Sequence, residues 1–149
     1  MSYILITGTS SGIGAALAEE FLQPGNTLFC ISRNRNINLE EKSKSAGAKL
    51  NYTIGNLNVQ NVPGNFIRES FVQIASSDEP VVLFNNAGVL APMKSLIALD
   101  EESMKEHFNV NFFAPAVIIS EFMQHMSLRK NPAVILNISS GAATFPYEG

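Results

Sequence analysis

Eight residues near the N-terminus, Thr7-Gly8-Thr9-Ser10-Ser11-Gly12-Ile13-Gly14, have the types and spacing to hold phosphate. The apolar run Ile4-Leu5-Ile6 stops at Thr7-Gly8, three glycines follow, and a helical pattern starts at Ile13, so the stretch reads as a strand, a glycine turn and a helix N-terminus. Unpaired backbone N–H groups and the positive end of the helix dipole suit such a junction to the phosphates of a nucleotide. A Cβ at Gly8 would obstruct the turn, one at Gly12 would keep the backbone off the phosphates, and one at Gly14 would push the helix from the strand. Glycine turns between strand and helix are common, so the motif alone also fits an ordinary junction.

A dinucleotide site that accepts NAD usually places an acidic residue about 20 positions past the glycines, where it holds the ribose hydroxyls. Ser32-Arg33-Asn34-Arg35 occupies that place here. Two guanidinium groups suit a 2′-phosphate, and none of the four side chains accepts as a carboxylate does, so the adenosine end reads as built for NADP(H). The other reading is a solvated arginine pair in a loop, which suits Arg35 better than Arg33, the residue nearer the strand.

The elements that must position these groups are legible from periodicity. Ile13, Leu17 and Phe21 recur every four residues, which predicts a helix to about Leu22, ended by Pro24-Gly25. Strands follow at Thr27–Ile31 and Leu50–Ile54, separated by a short helix that starts at Asn38-Leu39-Glu40-Glu41, pairs Glu40 with Lys44 and closes at Gly47. Ile67, Phe71 and Ile74 mark another helix, and Val81-Val82-Leu83-Phe84 is the continuous apolar run of a parallel strand covered on both faces. Asp100 caps a long helix carrying Met104, Phe108, Phe112, Pro115, Ile119, Phe122 and Met126, and the last strand is Ala133–Ile138. Strands alternating with helices imply right-handed crossovers and a doubly wound parallel sheet, with ligands beyond the C-terminal strand ends. Thr7-Gly8, Ser32-Arg33, Asn56, Asn85-Asn86-Ala87-Gly88 and Ser139-Ser140 all fall at that edge.

With 149 residues, 46% of them hydrophobic and 15% charged, the chain suffices for one domain with a sizeable core. A net charge of −3 with scattered Lys and Arg argues against a nucleic-acid surface or a polybasic membrane patch. Cys30, the only cysteine, sits in Thr27-Leu28-Phe29-Cys30-Ile31 and reads as a buried strand residue, so an internal disulfide and a cysteine metal cluster are excluded. His107 and His125 lack metal-ligand partner spacing, and no metal site is expected. The longest apolar stretch, Phe112 to Ile119, contains Pro115 and is too short for a bilayer, and no leader precedes the first strand at about Tyr3, so a reducing cytoplasm is the expected compartment.

The glycine motif, Asn85-Asn86-Ala87-Gly88, Asn111 in Asn109-Val110-Asn111, and Asn137-Ile138-Ser139-Ser140 stand in the order and spacing of the short-chain dehydrogenase/reductase family, which the chain resembles over its whole length. Ala91-Pro92-Met93-Lys94 and Ser140-Gly141-Ala142-Ala143 with Pro146-Tyr147 resemble the bacterial branch similar to benzil and sepiapterin reductases. The resemblance implies a Rossmann-type sheet of strand order 3-2-1-4-5 and hydride transfer between a nicotinamide cofactor and a small-molecule carbonyl or alcohol. It implies that Gly8, Ser10, Ser11, Gly12, Ile13 and Gly14 surround the pyrophosphate and that Ser32, Arg33 and Asn34 meet the adenosine ribose. It further implies that Asn56 and Leu57 lie along the adenine, that Asn86, Ala87 and Gly88 lead to the nicotinamide ribose, and that Val110 is among the residues that bind the cofactor. Many relatives carry Asp where Asn56 stands, and the Asn amide oxygen can still accept a hydrogen bond without the charge. One amide of the Asn85-Asn86 pair is expected to tie two strand ends together.

Ser140 matches the family's active Ser, whose hydroxyl donates to a carbonyl oxygen that gains charge as hydride arrives. Asn111 has a reading of its own: Pro115 lacks the N–H that would bond its carbonyl, so the helix should kink and leave that carbonyl for a water. In the family the Asn at this point holds a water in the proton relay. The family's Tyr and Lys have no match, because Gly149 stands only nine residues past Ser140 and Tyr147 has no Lys after it. Tyr147 reads as a lid or pocket residue. Residues 1–149 thus read as the cofactor half of a longer single-domain reductase, truncated after its fifth strand, nearly inactive alone and part of a homo-oligomer. The other readings are an NADPH-binding sensor or regulatory module that never needed the Tyr, and a folding or assembly unit without tight cofactor binding.

Overall fold

The computed structural model describes residues 1–90 and 96–141. In chain order the elements are β1 (Tyr3–Thr7), α1 (Gly12–Glu20), β2 (Thr27–Ser32), α2 (Ile37–Ala46), β3 (Lys49–Ile54), α3 (Val62–Gln73) and β4 (Val81–Asn85). A 3-10 turn (Leu96–Ala98), α4 (Glu101–Phe108), a π turn (Asn109–Phe113), α5 (Ala114–Met126) and β5 (Ala133–Asn137) follow. Tyr147, Pro146, Ala142, Ala143 and the run from Ala91 to Lys94 lie outside the described residues.

All strands are parallel and lie in the order β3-β2-β1-β4-β5, the doubly wound arrangement expected from the sequence. Every residue of β1 is buried, because its side chains alternate between two sheet faces and each face is covered by a helix layer. Ile4 and Ile6 join Leu28, Cys30, Leu39 and Phe84 under α1 and α2, while Leu5 joins Phe29, Leu83, Phe66, Ile118 and Phe122 under α3 and α5. Each such fully buried apolar side chain contributes about 1.5–3 kcal/mol. The strand order reverses direction between β1 and β4, and a crevice opens beyond their C-terminal ends.

Four local expectations are corrected. Asn36, not Asn38, caps α2: its Oδ1 accepts the Leu39 N–H at 3.0 Å while its Nδ2 donates to the Thr9 carbonyl at 3.1 Å. Glu40 pairs with Arg35 Nε at 3.2 Å rather than with Lys44. The long helix is interrupted: Asp100 caps α4 as expected, accepting from the Ser103 N–H at 2.8 Å, but a π turn follows, in which the Ala114 N–H reaches back to the Asn109 carbonyl. Pro115, in the first turn of α5, supplies no N–H, so the ladder resets around it. Beyond that reset Phe112 and Phe113 are more than half exposed, as is Phe108 at the end of α4, which buries none of its residues, while Val110, Ala114, Ile118, Phe122 and Met126 face the core. Strand β5 ends at Asn137, one residue earlier than expected, and forms a sheet edge with Val134 and Leu136 exposed. Among the described residues no helix is long and apolar enough to cross a membrane.

Candidate functional site

A cleft of about 240 Å³ opens at the C-terminal ends of β1, β2, β3 and β4. It gathers Gly8, Ser10, Ser11, Ser32, Arg33, Asn56, Leu57, Asn86, Ala87, Gly88 and Val110 from separate parts of the chain, with Ile31, Gly55 and Val89 beside them. Gly12, Ile13, Gly14 and Asn34, named with that group from the sequence, do not line the cleft. Among the described residues that line it there is no carboxylate.

The glycine turn is built for close approach. Gly8 has φ +77°, and a Cβ there would lie 2.8 Å from the Ala87 Cα. Gly14 is tighter, since its Cβ would lie 2.2 Å from the Gly8 carbonyl oxygen and 2.3 Å from Asn86 Nδ2, so the helix rests on the turn itself and on the Asn86 amide. Gly12 has φ +62° and open space above it, so the demand for glycine there comes from backbone conformation and leaves the surface clear for a ligand. Ser11, the N-cap of α1, makes no side-chain cap hydrogen bond, which keeps the first-turn N–H groups for an anion. Ile13 is exposed on that first turn.

Both amides of Asn85-Asn86 tie strand ends together, where one was expected. Asn86 Nδ2 donates to the carbonyls of Thr7 at 3.0 Å and Gly8 at 3.2 Å, and Asn85 Nδ2 donates to Asn137 Oδ1 at 3.0 Å. Thr7, which the sequence marked only as the end of a strand, completes the junction: its Oγ1 accepts the N–H groups of Asn86 and Ala87, both at 3.0 Å.

At the adenosine end the four residues after β2 divide their tasks. Arg33 lines the cleft and approaches Glu106 of α4 at 3.9 Å, whereas Arg35 turns away to Glu40. Ser32 is buried and its Oγ donates to the Asn34 carbonyl at 2.7 Å, so its hydroxyl shapes the loop. Asn34 contributes that carbonyl, which also stands 3.1 Å from Tyr52 Oη. Asn56 Oδ1 accepts the Asn58 N–H at 3.0 Å, which leaves one lone pair of the amide oxygen for the cleft.

The Asn111 side chain clamps the backbone of Val89: Oδ1 accepts the Val89 N–H and Nδ2 donates to the Val89 carbonyl, both at 2.8 Å. Any part it takes in proton transfer therefore falls to its main-chain carbonyl, which Pro115 leaves without its α-helical donor. A second cavity, of about 370 Å³, is lined by Thr7, Asn85, Asn111, Pro115, Asn137 and Ser139, among others. Asn85 is buried there with its Oδ1 lacking a partner among the described residues. Ser140 follows Ser139, exposed, just past the end of β5. His125 stacks on Phe71 with ring centroids 4.6 Å apart, and burial pushes the Cys30 thiol up to about 12, against a smaller opposing effect of Thr9. Among the described residues no group of three His, Cys, Asp or Glu is placed to hold a metal ion.

Comparison with known proteins draws this geometry together. The sequence profile of the family described as short chain dehydrogenase matches residues 2–149. A benzil reductase ((S)-benzoin forming) of Bacillus cereus is 34% identical over 154 aligned positions that take in 100% of this chain and 60% of that protein. The protein of the same description from Bacillus subtilis is 28% identical, over 100% of this chain and 59% of its own length. The crystal structure of a metagenomic short-chain oxidoreductase in complex with NADP is similar with a TM-score of 0.84 and 26% identity, covering 98% of this chain and 65% of that one. The chain thus spans about 60% of the length of the curated relatives it matches.

Proposed function

The chain belongs to the short-chain dehydrogenase family of oxidoreductases, in its bacterial benzil reductase-like branch, and from that premise we propose that residues 1–149 form the NADP(H)-binding part of a longer single-domain reductase. Its reaction is the reduction of a small-molecule carbonyl or diketone to the alcohol. The observation that carries this reading is the cleft itself: Arg33 stands at its adenosine end, the described lining residues offer no carboxylate to a ribose hydroxyl, and the glycine turn keeps its N–H groups and its outer surface open.

In this reading Gly8, Ser10, Ser11 and Gly12 hold the pyrophosphate, with Ile13 and Gly14 shaping the turn behind it. Arg33 takes the 2′-phosphate, Ser32 and Asn34 fix the loop that carries it, and Asn56, Leu57 and Val110 enclose the adenine. Asn86, Ala87 and Gly88 form the path to the nicotinamide ribose. The bound cofactor supplies the hydride. Ser140 donates its hydroxyl to the substrate oxygen as negative charge develops there, which stabilises that charge. The Asn111 carbonyl holds a water that passes a proton toward the reacting oxygen. The family's Tyr and Lys find no match at the required spacing, so the 149-residue chain by itself is nearly inactive. The same reading makes the protein cytoplasmic and homo-oligomeric, and the exposed Phe108, Phe112, Phe113 and Val117 support the second point.

Equilibrium binding of NADPH and NADH tests the cofactor assignment. Removing a charge-assisted hydrogen bond costs about 1.5–3 kcal/mol, so Arg33→Asp should weaken NADPH roughly ten- to a hundredfold and NADH far less. Equal losses for the two cofactors would sink the NADP(H) assignment. Reduction of benzil by the isolated 149-residue chain, at a rate normal for the family, would sink the assignment of the missing acid.

A further inference from the structure

Beneath the adenosine end of the cleft lies a cluster of hydroxyl groups centred on Tyr52. Tyr52 stands on β3 opposite Cys30 of β2, and its ring packs against the core on the α1 and α2 side. Its Oη lies 2.5 Å from Ser32 Oγ and 3.1 Å from the Asn34 carbonyl, and accepts from Thr9 Oγ1 at 3.2 Å. The three hydroxyl protons suffice for a continuous chain in which Thr9 donates to Tyr52, Tyr52 to Ser32 and Ser32 to the Asn34 carbonyl. Thr9 is fully buried and Ser32 nearly so, so water cannot readily replace a lost partner.

The cluster joins two loops with different tasks. Thr9 belongs to the glycine turn and immediately precedes Ser10, whereas Ser32 and Asn34 bracket Arg33. We propose that Tyr52 is a positioning residue for the choice between NADPH and NADH: its hydroxyl holds the Arg33 loop at a fixed distance from the phosphate-binding turn. This inference rests on the NADP(H) reading above. A guanidinium that must meet a phosphate with paired hydrogen bonds tolerates about 0.5 Å of misplacement, whereas NADH has no group at that point and does not depend on Arg33. The loop keeps a second anchor when the Tyr52 hydroxyl is removed, because Asn36 Nδ2 bonds the Thr9 carbonyl from the loop's far end. The Tyr52→Phe variant therefore retains its ring packing and one of its two loop attachments.

Dissociation constants for NADPH and NADH are measured by titration calorimetry on the full-length natural protein, for the wild type, Tyr52→Phe, Arg33→Ala and the double variant. Tyr52→Phe is expected to weaken NADPH about five- to tenfold and NADH less than about twofold. In the Arg33→Ala background it should change NADPH binding less than about twofold. Thr9→Val cuts the same link from the side of the glycine turn, where Thr9 Oγ1 meets Tyr52 Oη, and should give the same pattern, which keeps the test available if Tyr52→Phe fails to fold. Equal weakening of both cofactors, or an NADPH loss that persists undiminished without Arg33, overturns the proposal, because Tyr52 then supports the cleft as a whole. Arg33→Ala weakening NADPH and NADH alike overturns the NADP(H) reading as well, and is seen without touching Tyr52.

Discussion

Replacing Thr7 by Val tests whether the rim of the cleft is held by a side-chain oxygen. The Thr7 side chain is buried, and its Oγ1 accepts the backbone N–H groups of Asn86 and Ala87, each at 3.0 Å. Valine has the same shape but puts a methyl where the acceptor was, so two donors lose their partner and no space opens for water. Each of the two donors left unsatisfied costs about 1–3 kcal/mol, and the added buried methyl returns about 0.8 kcal/mol, for a net loss of about 1–5 kcal/mol. Against a total stability of about 5–15 kcal/mol this is a large fraction. With a urea m-value of about 2 kcal/mol/M, the unfolding midpoint should fall by roughly 0.5–2.5 M, with m itself unchanged. Thr7→Ser keeps the oxygen and should stay within about 1 kcal/mol of the wild type. A Thr7→Val midpoint indistinguishable from the wild type, or a Ser variant as unstable as the Val variant, would refute the reasoning, since the first means that the N–H groups find other acceptors and the second that the methyl mattered.

Three further outcomes are expected. Gly14→Ala drives a Cβ onto the Gly8 carbonyl and the Asn86 amide and should cost about 3 kcal/mol in urea unfolding, whereas Gly12→Ala, strained only by its φ of +62°, should cost about 1–2 kcal/mol and weaken NADPH binding instead. Glu106 competes for Arg33 from across the cleft at 3.9 Å with both side chains well exposed, so Glu106→Gln should tighten NADPH by no more than about fivefold, a gain that disappears at high salt and in the Arg33→Ala background when measured by calorimetry. The Cys30 thiol is raised from 9.0 to about 12 by burial, so the folded chain keeps a proton that the unfolded chain releases above pH 9. Its contribution is whole below pH 9 and is lost as pH rises toward 12, at up to about 1.4 kcal/mol per pH unit, which the difference between wild type and Cys30→Ala in unfolding at pH 8 and 11 should show.

The parallel sheet, its two helix layers and the edge at which the cleft opens were legible in the sequence because they depend on short-range patterns, whereas the strand order came from the family resemblance. Continuous apolar runs such as Val81 to Phe84 and the repeat of Ile67 and Phe71 report burial directly, and the crossover rule then places the glycine turn, Arg33, Asn56 and Asn86 at one edge. Two features misled the reading of the helices. Pro115 announced a break, but not that the break would take the form of a π turn, and the added residue moved Phe112 off the core-facing stripe. Asn38 has the composition of a cap, yet Asn36 takes that place because its other amide atom is needed by Thr9, which is 27 residues away.

What sequence spacing could not show is the strapping of the rim. Where the parallel strands end, the N–H groups of Gly8, Gly55 and Ile138 still reach carbonyls of neighbouring strands, whereas those of Asn86 and Ala87 after β4 take the Thr7 hydroxyl oxygen as acceptor. Strands β1, β2, β4 and β5 end on Thr7, Ser32, Asn85 and Asn137, each a short polar side chain able to bond sideways before the chain departs. Thr7 serves the loop after β4, Ser32 meets Tyr52 of the neighbouring strand, and Asn85 meets Asn137 across the β4–β5 pair. These bonds join residues 79, 20 and 52 positions apart, so no local window contains both partners. The residue that closes each apolar run could still have been found by its place alone, because a polar side chain nearly buried at a strand end needs a partner. It follows that the rim is strapped by separate bonded groups, so that a change at Thr7 acts on Asn86 and Ala87, and one at Tyr52 acts on Ser32 and Asn34 beside Arg33, while neither needs to touch the ligand.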